Sequence, residues 1–342
     1  MRLFRTMILG WALATSPIAA LAQSGADFYK GKTVRLVTGG SSGSGYDLYA
    51  RMLVPYLQPR LGATVVVESR PGAGMLIAMN HVATSAPDGL TIMLAPGEGA
   101  VLSKLIEDPA ARYDLRQFPV IARVNTAPRV LIANPQLPWN TFNDVLNWGK
   151  PIQIAGNGKV DAASDTFSVL CHAMKIPCKI TLGYPGSREM AFAIMKGEMD
   201  ATILVEDSSA RYSEGGQMRP VVVTARERST IMPNVQTIFE AAPQRMDAEA
   251  AWWIDFREDV RKLGRLMVTP PGVPADRVNF LRAVFKEVLT DKEALAEFEK
   301  RQQPAFFGEA AEMEALLNRL LGGAMTPERA KEVKHVIAEK YY

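Results

Sequence analysis

The chain has 342 residues, 48% of them hydrophobic and 22% charged, an ordinary balance for a soluble globular protein with room for two domains. Its 39 basic and 36 acidic residues leave a net charge of +3, too slight to point to a nucleic-acid partner. Three histidines and a close pair of cysteines offer no zinc spacing, and neither a metal nor another cofactor is expected.

Residues 1–22 read as a signal peptide. Arg2 and Arg5 precede the uncharged apolar run Met7 to Ala14, and Ala20-Leu21-Ala22 is a small-x-small cleavage pattern. Ser16 and Pro17 interrupt the run well short of the roughly 20 apolar residues of a membrane span. Export to the periplasm with cleavage after Ala22 is therefore expected.

After the leader, strands and helices alternate. Thr33 to Thr38 is a β-branched strand, and Asp47 to Leu57 an amphipathic helix with Asp47 placed to cap its start. Strand Thr64 to Glu68, the turn Pro71 to Gly74, a small-residue helix to Ser85 and strand Leu90 to Ala95 follow. The pattern restarts with strand Arg129 to Ala133, helix Thr141 to Trp148 and strand Ile152 to Ala155. It continues with helix Ser164 to Met174, strand Lys179 to Leu182, helix Glu189 to Lys196, and strands Asp200 to Val205 and Arg219 to Thr224. Helices Asp276 to Leu289, Lys292 to Arg301, Ala310 to Leu321 and Pro327 to Tyr341 close the chain, with Pro327 at a favoured first-turn position. Such alternation predicts mostly parallel α/β sheets flanked by helices. Cys171 and Cys178 are either a disulfide, given an oxidising compartment, or two buried thiols.

Glycine- and hydroxyl-rich loops fall at the carboxyl ends of these strands, where open α/β sheets bind ligands. They are Gly39 to Gly45, Arg70 to Gly74, Gly97 to Gly99, Gly156 to Gly158, Gly183 to Ser187 and Glu206 to Ser209. Helix starts behind small residues present free N–H groups and partial positive charge, which suits a carboxylate or phosphate. Catalytic alternatives fare worse. Gly39-Gly40-Ser41-Ser42-Gly43 has the G-x-S-x-G form, but His172 lies in an apolar helix and His335 in a charged one, and the motif follows the first strand. A periplasmic serine hydrolase using Ser41 is the runner-up. The loop lacks the Gly-Lys-Ser/Thr of a P-loop and the third glycine of a dinucleotide fingerprint. The chain is not expected to be an enzyme.

In their order and spacing, these segments resemble the receptor proteins of tripartite tricarboxylate transporters, the Bug family. Val34 to Arg51 resembles its strand, glycine loop and D-x-x-A-R helix; Val65 to Gly74 its RPGAG segment; and Ala86 to Gly89 its APDG turn. Gly183 to Ser187, Lys196 to Ala201, Ala225 to Arg228, Met232 to Thr237 and Pro270 to Ala275 are similar to later family segments. Departures are Gly183-Tyr184, where the family usually has Val-Pro, Arg188 after Ser187, and the acidic pair Glu206-Asp207.

The resemblance implies a two-domain periplasmic binding protein, a Venus flytrap joined by crossing strands. Domain 1 is expected over 23–127 plus 243–342, and domain 2 over 128–242. The ligand is expected to be a small organic carboxylate delivered to permease subunits in the membrane, with the receptor a monomer. Presentation of the ligand to a sensor kinase is an alternative. From the first domain, the expected site residues are Gly40, Ser41, Ser42, Gly43, Ser44, Tyr46, Asp47, Gly72, Gly74 and Glu98. From the second they are Asn157, Ser164, Thr166, Tyr184, Pro185, Gly186, Ser187 and Asp207. Arg188 is either a partner for a ligand carboxylate or an ordinary neighbour of Glu189 or solvent.

Overall fold

The computed structural model describes residues 25–184, 186–322 and 325–342. The expected leader with its cleavage point after Ala22, and Pro185, lie outside the described residues. The first half of the chain runs through β1 (Thr33–Thr38), α1 (Gly45–Leu61), β2 (Thr64–Ser69), α2 (Leu76–Ala83), β3 (Thr91–Pro96), α3 (Gly97–Leu105) and β4 (Val120–Asn125). A second series follows: β5 (Arg129–Ala133), α4 (Phe142–Leu146), β6 (Ile152–Ala155), α5 (Ala162–Met174), β7 (Cys178–Thr181), α6 (Ser187–Met195), β8 (Ala201–Val205), α7 (Glu206–Ser213) and β9 (Arg219–Val223). The remainder is α8 (Ile238–Ala241), α9 (Ala248–Leu263), β10 (Arg265–Val268), α10 (Ala275–Thr290), α11 (Lys292–Lys300), α12 (Ala310–Leu321) and α13 (Pro327–Ala338).

Two five-stranded sheets result, ordered β2-β1-β3-β10-β4 and β7-β6-β8-β5-β9. They repeat one plan. In each, the first strand of a strand–helix series has its two successors as parallel neighbours. The next strand in the sheet, β10 or β5, has crossed over from the other unit and runs antiparallel to both neighbours. This two-unit α/β architecture is the expected one. The antiparallel strands arise because a crossing chain enters each sheet from the opposite end.

Burial explains why these strands hold. All six residues of β3 and all five of β5 are buried, as strands covered by helices on both faces must be. Of the two crossing strands β5 was expected and β10 was not, and β4, α3 and α9 also have no counterpart in the expected series. Helix α9 packs on α5 of one unit and on α3 and α12 of the other, with Trp253 and Val260 fully buried. Helix α13 also packs against α5. Before β10, Gly264 has φ 49°, and a Cβ there would stand 2.0 Å from the carbonyl oxygen of Asn125. The two crossing backbones touch, and only glycine permits it.

Two local expectations are settled here. Cys171 and Cys178 form a disulfide, joining the end of α5 to the start of β7 across a Cα separation of 6.3 Å. The cap of α1 is Ser44 rather than Asp47: the helix begins at Gly45 and the Ser44 side chain accepts the N–H of Asp47. Asp47 sits one turn in, almost fully buried. Its carboxylate reaches back to the Gly43 N–H (2.9 Å) and pairs with Arg51 (2.9 Å). Serine and acid divide the capping task between them, as in a capping box.

Candidate functional site

A cleft of about 660 Å³ lies where the two units face each other. The start of α1 contributes Tyr46, the turn before α2 contributes Gly74 and Met75, and the start of α3 contributes Glu98. The crossovers contribute Asn125, Arg129 and Arg265, and the loop into α5 contributes Asn157, Lys159 and Asp161. A hollow of about 250 Å³ adjoins it through Arg129, Asn157 and Asp161 and extends to Gly186, Ser187 and Ser208. The starts of α1, α3 and α5 therefore surround one space, each bringing N–H groups without intrahelical acceptors.

The structure brings together some of the expected site residues. Tyr46, Gly74, Glu98 and Asn157 line the larger cleft, and Gly186 and Ser187 the hollow. Ser41, Ser42 and Gly43 form an exposed tip, with Gly43 at φ 79°. Gly40 is buried, and a Cβ on it would stand 2.1 Å from the Ser44 hydroxyl. The second unit repeats this: a Cβ on Gly156 would stand 2.1 Å from the hydroxyl of buried Ser164. Thr166 is buried and donates to the Ala162 carbonyl (2.6 Å). Half-buried Tyr184 donates its N–H to Gly156 (3.2 Å), and Asp207 accepts the N–H of Ser208 (2.6 Å). Exposed Arg188 lies over the Phe192 ring at 5.4 Å.

From Gly72 to Met75 four successive residues have positive φ, 125°, 48°, 61° and 75°. Ala73 and Met75 carry a Cβ in that region, a strain that surrounding structure must hold in place. Gly39 helps, since a Cβ on it would stand 2.4 Å from that of Met75.

Glu98 was among the expected site residues; the arginines around it were the ones sequence reasoning missed. Glu98 accepts from Nη2 of Arg129 (2.8 Å to each oxygen) and from Nη2 of Arg257 (2.9 Å). Arg257 also donates Nε to Asp165 (2.6 Å), so α3, β5, α9 and α5 are tied by one buried network. Burial opposes the charge on Glu98, but Arg129 and Arg257 outweigh it and hold its carboxyl down at about 2. Among the described residues Arg257 is the one cation paired with Asp165, beside a Thr166 hydroxyl at 3.1 Å. Burial wins there, Glu98 adds repulsion, and its carboxyl is pushed up to about 6. Arg257, between two acids, is held still more firmly protonated. Half-buried Arg265 donates Nη1 to Asn125 (2.8 Å), with its guanidinium 4.4 Å from the Tyr49 ring and 5.0 Å from that of Tyr46.

No histidine serves Ser41 among the described contacts. His172 packs edge-on against Trp253 and meets Lys340, His335 pairs with Glu339, and His81 lies in α2 with burial and Arg70 depressing its pKa.

Residues 49–301 match the family described as the tripartite tricarboxylate transporter family receptor, TctC. A UPF0065 protein of Bordetella pertussis is 28% identical over 265 residues, covering 75% of this chain and 76% of that protein. Protein BugT of the same organism is 27% identical over 241 residues, covering 68% and 72%. Among solved structures, MatC of Rhodopseudomonas palustris with bound malate is similar at a TM-score of 0.68 and 19% identity, covering 89% of this chain and 99% of that one. The R. palustris protein Rpa4515 with adipate reaches 0.68 at 20% identity, covering 89% and 97%. With that match spanning most of its length and the two-unit fold shared, the chain belongs to the TctC family of tripartite tricarboxylate transporter receptors.

Proposed function

We propose that this chain is a periplasmic receptor that closes its two lobes over a small organic carboxylate and hands it to a tripartite tricarboxylate-type permease. The lobes of this reading are 23–127 with 243–342, and 128–242. The observation that carries the proposal is the cleft itself, ringed by three helix starts and entered by guanidinium groups from both crossovers. MatC and Rpa4515, alike in fold, were solved with malate and adipate, which favours a carboxylate of that size. Loop glycines such as Gly40 and Gly156 let each loop lie against the serine that follows it, which brings the N–H groups of the helix starts toward the cleft. Ester cleavage at Ser41 is disfavoured by the placement of the histidines.

The test is mass spectrometry of the small molecule released on denaturing the purified protein, with a thermal-shift screen of carboxylates. A hundredfold excess over Kd should add about 2.7 kcal/mol of stability. If only sugars or bases raise the melting point, the carboxylate reading falls. Intact mass of the periplasmic form checks cleavage after Ala22.

A further inference from the structure

Two arginines enter the cleft from the crossovers, and their surroundings differ. Arg129 has given its Nη2 to both oxygens of Glu98, and its side chain is 9% exposed. That carboxylate is shared with Arg257, and the Arg129 Nε is itself buried without an acceptor, so its charge is answered in part. Arg265 has no carboxylate partner among the described residues, and the sequence outside them contains no Asp or Glu. Its only hydrogen-bond acceptor there is the amide oxygen of Asn125, its flanks are aromatic rings, and its Nε is buried without an acceptor. A cation held between two tyrosines and one neutral amide keeps its attraction for an anion almost whole.

Its position adds a second donor set. A Cβ built on Gly45 would stand 3.6 Å from Arg265 Nη2, so the guanidinium lies beside the first residue of α1. Ser44 caps the Asp47 N–H, leaving the amides of Gly45 and Tyr46 as the helix's outward donors. A carboxylate placed there meets a planar fork and a helix start together, at the start of β10, where the chain has crossed back from the other unit. The remaining cleft cation, Lys159, is an exposed lysine over the Tyr342 ring.

Resting on the carboxylate-receptor reading, we infer that Arg265 is the residue that anchors the ligand's carboxylate and sets the preference for an anion, while Glu98 withholds Arg129 from the same role. The cleft then offers one strong anion position and not two.

The test uses ligand-stripped protein and calorimetric titration with malate, adipate, hexanoate, benzoate and any acid released on denaturation. The primary amide of the tightest binder is the neutral control. Wild type should prefer the acid to its amide by at least about tenfold. Arg265→Gln should weaken the acid by roughly ten- to a hundredfold, as expected for losing a charge-assisted pair, and largely erase the acid-over-amide preference. Arg265→Lys keeps the charge without the fork and should fall several-fold between them. Glu98→Gln frees Arg129 and should raise affinity for adipate relative to hexanoate. A folded Arg265→Gln that binds the acid within about twofold of wild type overturns the inference while leaving the receptor reading intact. Should Arg265→Gln not fold, unchanged affinity in Arg265→Lys overturns it equally. If wild type binds none of the acids and releases none, the receptor reading itself has failed.

Discussion

Replacing Asp165 by Asn should remove a pH dependence from the stability of the folded chain. The network at the crossovers serves its two acids unequally: Glu98 is met by Arg129 and Arg257, and Arg257 is the one cation paired with Asp165 among the described residues. Burial lifts Asp165 from 3.8 to about 6. Because the folded pKa is the higher one, the folded chain holds this proton more tightly than the unfolded chain does. The stability it contributes is complete below the unfolded pKa and is lost as pH rises through about 6. Two pKa units at 1.36 kcal/mol each make this about 3 kcal/mol, with no discount for solvent since Asp165 is fully buried. Glu98 runs the other way: lowered to about 2, it contributes stability above 4.5 that is lost only as pH falls toward 2. Across roughly pH 4.5 to 7 the Glu98 contribution is constant and only that of Asp165 declines. Asn keeps a carbonyl for Arg257 Nε and cannot titrate. Urea unfolding of both proteins, followed by tryptophan fluorescence, gives the difference between them, in which most other groups cancel. The gap should change by about 2 kcal/mol over that range, the part of the full 3 that lies above pH 4.5. Parallel curves would show that Asp165 is ionised throughout, and the account of an under-served acid would be refuted.

Reduction of Cys171–Cys178, or Cys171→Ser, should lower stability by about 2–3 kcal/mol, the loop-closure value for a separation of 7 residues; denaturation with and without reductant measures it. Gly264→Ala should cost at least about 1–3 kcal/mol, because the new Cβ would press on the Asn125 carbonyl at a positive φ. Since Asn125 also holds Arg265, ligand affinity should fall with the melting temperature; an unchanged melting point would mean that the crossing backbones have room to part.

The repeated strand–helix series was legible because each strand is a short β-branched run bounded by glycine, and each helix has its own periodicity. Capping boxes at Thr141 and Thr237 fix two helix starts from local sequence alone. The second crossover was not legible for a corresponding reason. β10 is four residues long, and its place between β3 and β4 is decided by contacts with strands more than a hundred residues away. Helix α9 carries Trp252, Trp253, Arg257 and Glu258 on faces that meet two different units, so its apolar stripe is broken by residues that are buried all the same.

The same cause separates the site residues that could be found from those that could not. Among the residues that line the cleft and its hollow, Gly74, Asn157 and Gly186 lie in loops whose composition marks them locally, and a glycine-rich strand end announces a helix start whatever surrounds it. Glu98 was reachable only as part of a glycine turn, without its partners. Arg129, Arg257 and Arg265 look in sequence like ordinary strand and helix arginines, and such residues are mostly solvated. What distinguishes them is the neighbour each meets at the hinge: an acid for Arg129, two acids for Arg257, and for Arg265 only tyrosine faces and an amide. A charge acquires its function here from what it lacks or finds across the fold, and the exposed tip Ser41 to Gly43, rich in the expected chemistry, stands farther from that arrangement than Arg265, which carried no motif at all.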